Sequence, residues 1–306
     1  MKRGDVRSGQ VPTALGGEPL ESVLCVMFEL DVERAAELLA AGAVFVDRKR
    51  MSRTVKVRAG QSLSVDVGFE APRIPDLRPS VLFVDRDMIV MDKTAGMPSV
   101  PTLTAAAGTL MHGIESQGLC DFSPLEVHRL DAATSGVIVY ARRGPAHSAL
   151  ASQFAEGKVE KRYLARVHGA PATVDGRVDA ALGRDGRNSR TWCVCPEGTP
   201  GARASVTEFH VLLFQEGYTD LEVRPRTGRT HQIRVHLRHL GLPIWGDHNY
   251  GDADLDRPFR PTRLWLHAAQ LTIAHPRTRK AMTFRAPVPS TMPGFGESAT
   301  EEGGAA

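Results

Sequence analysis

The sequence predicts an α+β protein in two parts, a small N-terminal module and a larger sheet-rich domain. Three observations lead there. Apolar runs are short and β-branched, and they pair off as hairpins: 81–84 with 88–91, and 205–214 with 218–223. Helical periodicity is confined to a few stretches that end at caps or glycines. A proline-punctuated segment at 71–79, A-P-R-I-P-D-L-R-P, separates the two parts.

Of 306 residues, 42% are apolar and 24% charged, a soluble globular balance with core enough to need neither metal nor disulfides. Cys25, Cys120, Cys193 and Cys195 are too scattered for a disulfide scaffold. Cys193-x-Cys195 lacks the second ligand pair a zinc site needs, so reduced thiols are expected. No apolar leader follows Met1 and no run approaches membrane-spanning length, so a cytoplasmic location is expected. Net charge is only +3, but cations crowd at 48–58 and 224–238. Such clusters suit a phosphate backbone, although solvated faces also carry them.

Residues 1–22 are polar and aperiodic, and are expected to be a disordered arm. Residues 23–70 form the small module. Asp31 is placed to cap a helix in which Val32, Ala35, Leu38 and Leu39 recur at helical spacing until Gly42. Strands are expected at 43–46 and 54–57 around a basic turn at 47–50, then at 63–67. Residues 71–79 are the linker, and 80–287 the large domain. Within it, Pro145 opens a helix with Leu150 and Phe154 on its apolar side, and Gly157 ends it. Residues 159–167 alternate as a strand, and 183–204 form a long loop or hairpin. The segment 288–306, rich in Pro, Gly, Ser and Glu, is expected to be a disordered tail.

Two stretches carry chemistry. In the first, His128-Arg129-Leu130-Asp131 runs into Thr134-Ser135-Gly136 and a buried strand beginning Val137-Ile138-Val139. Asp131 therefore lies on a loop leading into the sheet. For a lone aspartate an Asx-turn or cap is the ordinary account. In the second, P-R-T-G-R-T-H-Q-I-R-V-H-L at 225–237 turns at Gly228 and starts a helix that Thr230 is placed to cap. Ile233, Leu237 and Leu240 stripe one face of it. Arg234 stands at the rim of that stripe, where a guanidinium on an immersed stem reaches a buried carboxylate. His231, His236 and His239 do not project to one point, so no metal site is expected of them. Tyr163 lies on the apolar face of its strand, ordinarily a core position. Lys93 reads equally as a phosphate contact and as a partner of Asp92.

These stretches resemble motifs of the RluA family of RNA pseudouridine synthases. H-R-L-D-x-x-T-S-G stands at 128–136, and K-x-Y-x-A at 161–165. P-x-T-G-R-T-H-Q-I-R-V-H-L stands at 225–237, and D-K-P-A-G is matched at 92–96 with Thr94 where proline is usual. The resemblance covers roughly residues 80–287. It implies the pseudouridine synthase fold, a mixed, mainly antiparallel sheet with flanking helices and a central cleft. The reaction it implies is isomerisation of uridine in structured RNA, ribosomal or transfer. The glycosidic bond breaks, the uracil turns, and C5 bonds to C1′. Asp131 is implied as the catalytic carboxylate and Arg234 as the guanidinium paired with it; such a neighbour stabilises a buried carboxylate in its ionised form. Tyr163 lines the site, as a base or as a ring stacked on uracil. Arg129 fills the space a flipped base vacates, and His128, Lys93, Thr134, Arg229 and His231 contact the substrate. No cofactor or metal is expected, since the isomerisation has no redox change or group donor. The expected partner is RNA, without nucleotide cofactor or membrane, and the expected state is a monomer.

In the small module, the order helix, V-x-V-D, basic turn, V-x-V, L-x-V resembles the second half of an S4 RNA-binding domain. That implies RNA-backbone contacts by Arg48, Lys49, Arg50 and Arg53; a generic α+β module with a solvated basic loop is the other reading. Two further function classes fit parts of the pattern. One is an RNA-binding factor without catalysis; the other is a hydrolase pairing Asp131 with His128.

Overall fold

The computed structural model describes residues 5–40, 43–47, 49–51, 54–68, 80–100, 108–186 and 191–296, with backbone only for Ala40, Lys49 and Arg50. The chain divides into two compact units, Met1–Arg78 with Pro98–Gln117, and Pro79–Met97 with Gly118–Ala306. None of the described helices is long and apolar enough to cross a membrane.

The small unit runs β1 (Val6–Gln10), α1 (Leu20–Phe28), α2 (Val32–Ala40), β2 (Val44–Val46), β3 (Lys49–Met51) and β4 (Ser62–Asp66), and it includes α3 (Leu110–Ser116). Its sheet has the order β1-β4-β2-β3 and is antiparallel throughout. Asp31 caps α2, its carboxylate accepting the Arg34 amide at 2.6 Å. Two expectations need correction. Residues 5–22 of the expected disordered arm are structured, for they contain β1 and the start of α1. The side chains of β1 are almost all exposed, so main-chain pairing with β4 recruits it and no apolar alternation betrays it. α1 does carry a legible signal: Leu20, Val23, Leu24 and Phe28 share a face and are buried. The hairpin partner of β2 is likewise not 54–57 but β3. Asp47, at φ 48°, turns the chain at once, and its side chain holds the Ser62 amide and Gln61. Val57 is left to fill the core, beside the half-buried Val55. Gly42, the linker 71–79, and the side chains of Arg48, Lys49, Arg50 and Arg53 lie outside the described residues.

The large unit begins with β5 (Ser80–Val84), β6 (Met88–Lys93), β7 (Leu125–Glu126), β8 (Ser135–Ala141) and α4 (Pro145–Ala155). It continues through β9 (Glu160–His168), β10 (Asp175–Asp179), β11 (Leu182–Arg184), β12 (Trp192–Val194), β13 (Val206–Gln215) and β14 (Tyr218–Pro225). It closes with α5 (Gln232–His239), α6 (Ala253–Asp256), β15 (Leu266–Ala274) and β16 (Ala281–Arg285). A ten-stranded sheet follows the order β10-β13-β14-β9-β15-β8-β6-β5, with β16 on β15 and β7 on β8; β11 and β12 pair separately. All seven residues of β8 are buried, as its continuous apolar run requires. β8 pairs with β15 in parallel, while its pairing with β6 is antiparallel. Gly136 makes the parallel join possible. At φ 110° it sits where a Cβ would lie 2.2 Å from the Ala268 carbonyl oxygen.

The expected tail is also corrected in part. Met292 is buried in the core around Trp245 and Trp265. The Gly294 carbonyl accepts from Arg166, and the Gly296 amide donates to Asp220. Arg166 and Asp220 form a buried ion pair at 2.6 Å, and such a pair is tolerated only when its remaining polar atoms are satisfied. Residues 288–296 supply that, and 297–306 lie outside the described residues.

Candidate active site

Asp131 leads from β7 into β8. The Thr134 amide donates to its carbonyl at 3.0 Å and closes the turn, while Leu130 behind it is buried. The carboxylate itself is 25% exposed, open enough to meet a ligand. Arg234 reaches it from the first turn of α5, Nη1 donating to Oδ2 at 3.0 Å.

Arg234 is in turn locked by Asp247. Its Nε and Nη2 donate to the two oxygens of that carboxylate at 2.8 and 2.7 Å, a bidentate geometry that only a planar guanidinium makes. Asp247 also accepts the amides of Asn249 and Tyr250. Burial alone would raise its carboxyl, but Arg234 and these amides outweigh burial and hold it below the usual carboxylate range. For Arg234, burial pulls the other way and the two carboxylates win, lifting the guanidinium above its ordinary value. Sequence reasoning placed Arg234 at a rim, whereas it is buried, as is every residue of α5 from Gln232 to Leu237. Asp247 went unassigned, because nothing in a Trp-Gly-Asp tripeptide says which cation it faces.

Tyr163, on β9, packs beside the cluster of Leu266 and Trp265. Burial, with the charge of Asp131 adding to it, pushes its phenol well above the ordinary value. His231 precedes α5 in left-handed backbone (φ 56°). It contacts the Tyr250 hydroxyl through Nδ1 at 2.7 Å, and its Nε2 lies 3.8 Å from Asp131 Oδ2. Burial pushes its imidazole below the ordinary value, against the pull of Asp131. Thr230 does not cap α5; His231 occupies that position and no side chain caps there. Gln232 instead organises the turn. Its carbonyl accepts from the Arg229 amide and the Thr227 hydroxyl, and its amide donates to Val206 and Thr207.

Three expected substrate contacts are scaffolding instead. Lys93 is fully buried, and its ammonium donates to the carbonyls of Thr94, Met97 and Ala132 at 2.8–3.0 Å. It pins the 94–97 turn to the residue after Asp131 and has no proton left for a phosphate. Burial and the nearby Arg263 push it down to about 7, and the three acceptors, which need all three N–H bonds, oppose that. His128 stacks on Phe154 at 4.3 Å and accepts the Val139 amide at 3.1 Å; burial, then Lys161, pushes it down to about 3. Thr134 is 2% exposed and serves the turn. Arg129 and Arg229, by contrast, are exposed. Arg129 makes no hydrogen bond to a described residue, and Arg229 is anchored through Nε to the Ala204 carbonyl.

The histidines of α5 do not meet at a metal, since His236 is buried between Thr207 and the Ala180 carbonyl. Among the described residues, Asp85, Asp87 and His275 converge. The Arg277 and Thr278 amides donate to His275 Nδ1, so its Nε2–H donates to Asp85 at 2.7 Å. That triad is a hairpin clasp.

The arrangement is one part-exposed carboxylate fixed by a buried cation, with an aromatic ring beside it. Known proteins resemble this chain in sequence and fold. The family model for RNA pseudouridylate synthase matches residues 87–239. The dual-specificity RNA pseudouridine synthase RluA of Salmonella typhi is 41% identical over 68% of this chain and 92% of its own. The ribosomal large subunit pseudouridine synthase D of Xanthomonas campestris is 34% identical over 94% and 90%. Among solved structures, human RNA pseudouridylate synthase domain containing 1 superposes with a TM-score of 0.57 and 28% identity, covering 72% of this chain and 86% of that one. With its fold, motifs and relatives in agreement, the chain belongs to the RluA family of RNA pseudouridine synthases, which are isomerases.

Proposed function

We propose that this enzyme converts uridine to pseudouridine in structured RNA through Asp131, with Arg234 holding the carboxylate and Tyr163 lining the base site. The observation that carries this reading is the chain Asp131–Arg234–Asp247. A carboxylate open to a ligand is gripped on one oxygen by a guanidinium that a fully buried carboxylate fixes on its other side. As the glycosidic bond breaks, its electron pair goes to uracil N1 and positive charge develops at C1′. The Asp131 oxygen meets that charge. C5 of the turned uracil then bonds to C1′, the C5 proton is lost, and N1 gains one, so the product is an isomer. Tyr163, whose phenol is pushed up by burial, is protonated in the free protein and serves as a ring or a donor. Arg129, exposed beside the nucleophile, fills the gap a flipped base leaves, a step that costs about a few kcal/mol of stacking. Arg229 contacts the RNA.

The name of one relative supports ribosomal RNA as substrate, and transfer RNA is the other structured RNA that the motif resemblance implies. The small unit is read as an S4-like RNA-binding module, supported by two helices followed by the β2–β3 hairpin. A monomeric, cytoplasmic enzyme completes the reading. The hydrolase alternative is disfavoured because His128 spends its acceptor nitrogen on Val139 and is pushed down to about 3, so it is no acid partner for Asp131.

Pseudouridine mapping of total RNA treated with purified protein tests the activity, and Asp131→Asn tests the residue. Product should vanish in that variant while RNA affinity stays near the parent value. Turnover surviving in Asp131→Asn would remove Asp131 from the mechanism.

A further inference from the structure

Arg234 is not the only group facing Asp131. His231 Nε2 lies 3.8 Å from Oδ2, the same oxygen that accepts from Arg234 at 3.0 Å. At that separation the contact is a charge–dipole one, longer than a hydrogen bond. Its sign depends on whether Nε2 carries the proton, and the far side of the ring decides that.

The Trp192 amide donates to the Tyr250 hydroxyl oxygen at 2.9 Å. A backbone amide has only a hydrogen to offer, so the hydroxyl is an acceptor there. Its own hydrogen then needs an acceptor, and His231 Nδ1 stands 2.7 Å away. The opposite polarity, Nδ1–H donating to Tyr250, would leave the phenolic hydrogen of a buried residue without an acceptor among the described residues. Burial pushes the imidazole below its ordinary value, and Arg234 and Arg184 push the same way against Asp131 and Asp247, so the ring is neutral. A neutral imidazole that accepts at Nδ1 carries its hydrogen on Nε2.

Two features fit a built arrangement. His231 holds left-handed backbone, an uncommon state for a residue with a side chain that concentrates at functional sites. The Tyr250 ring also lies 4.9 Å from the Arg234 guanidinium carbon, so one tyrosine orients both groups that face the carboxylate.

We propose that His231 is a positioning residue. Fixed as the Nε2–H tautomer by Tyr250, it joins Arg234 in holding Oδ2 of Asp131, leaving Oδ1 as the oxygen presented to the nucleoside. The proposal rests on Asp131 being the reacting carboxylate.

Nitrogen-15 NMR of the full-length, histidine-labelled protein tests the tautomer, with the ring assigned by the loss of its signals in His231→Asn. The expected result is a protonated Nε2 and a bare Nδ1, with that preference lost in Tyr250→Phe. A protonated Nδ1 in the parent protein would overturn the proposal whatever the activity. Single-turnover rates then compare His231→Gln, whose amide nitrogen falls near the Nε2 position, with His231→Asn, whose amide falls near Nδ1. The Asn variant should lose roughly 10-fold in rate as Oδ2 shifts, with RNA affinity unchanged. The Gln variant should keep most of the rate. Equal losses in both would overturn the donor role. Asp131→Asn in the same assay separates the two ideas, because turnover there would sink the nucleophile while leaving the tautomer result standing.

Discussion

Asp247 does for Arg234 what Arg234 does for Asp131. Its carboxylate has no exposed surface and takes two of the guanidinium's donors, leaving Nη1 aimed at the Asp131 carboxylate. Breaking a buried pair from one side leaves an uncompensated charge, which destabilises by about 3–5 kcal/mol. Asp247→Ala should therefore lower the urea midpoint by that equivalent. Asp247→Asn retains shape and one acceptor. It should lose less stability, yet still slow single turnover by roughly 10-fold as Nη1 drifts from Asp131. Parent rates in Asp247→Asn would show that Arg234 needs no second carboxylate. Lys93 illustrates the same logic with neutral partners, its three protons going to three carbonyls around the Asp131 turn.

Between elements, the join of β8 with β15 sets where Asp131 stands. His267 is opposite Ser135 and Ala268 opposite Gly136, and the backbones approach so closely at Gly136 that a methyl group would meet the Ala268 carbonyl at 2.2 Å. The Ser135 hydroxyl ties the strands further, bonding His267 Nδ1 and accepting from Arg263, both at 2.8 Å. Gly136→Ala should cost on the order of 3 kcal/mol through clash and positive φ together. Because the strand carries the loop of Asp131, the carboxylate proposed to react, activity should fall even where the variant remains folded. Chemical denaturation and single-turnover rates of the same preparation check both, and an unchanged midpoint would show that β15 can move aside.

At the scale of the whole molecule, buried neutral histidines set the response to acid. Burial pushes His128 down to about 3 and His267 to about 4, from 6.5. The unfolded chain therefore binds protons below pH 6.5 that the folded protein refuses, and stability falls as pH falls through that window towards the folded values. By linkage, each histidine removes about 2–3 kcal/mol by pH 4.5. Urea midpoints should thus drop steeply between pH 7 and pH 4.5, and His267→Gln should flatten the slope. A midpoint independent of pH over that range would contradict the neutral assignment.

Much of this was legible in the chain itself. The hairpins of the large domain, the helix opened by Pro145, the buried run of β8 and the meeting of Asp131 with Arg234 all follow from local pattern or from the resemblance the motifs carry. What sequence could not supply was partnership. Lys93 and His128 sit in motif positions, yet only packing reveals that Lys93 Nζ and His128 Nε2 are taken by backbone groups 1 to 39 residues away. Asp247 and Tyr250 fell outside the assigned site because their roles exist only where α5, β12 and the turn after α5 converge. β1 was invisible for a related reason, its pairing being made by main-chain groups that every residue carries. Periodicity reports which side of an element is buried. It does not report which polar group meets which, because hydrogen bonding and charge pairing depend on distances that only the folded chain sets.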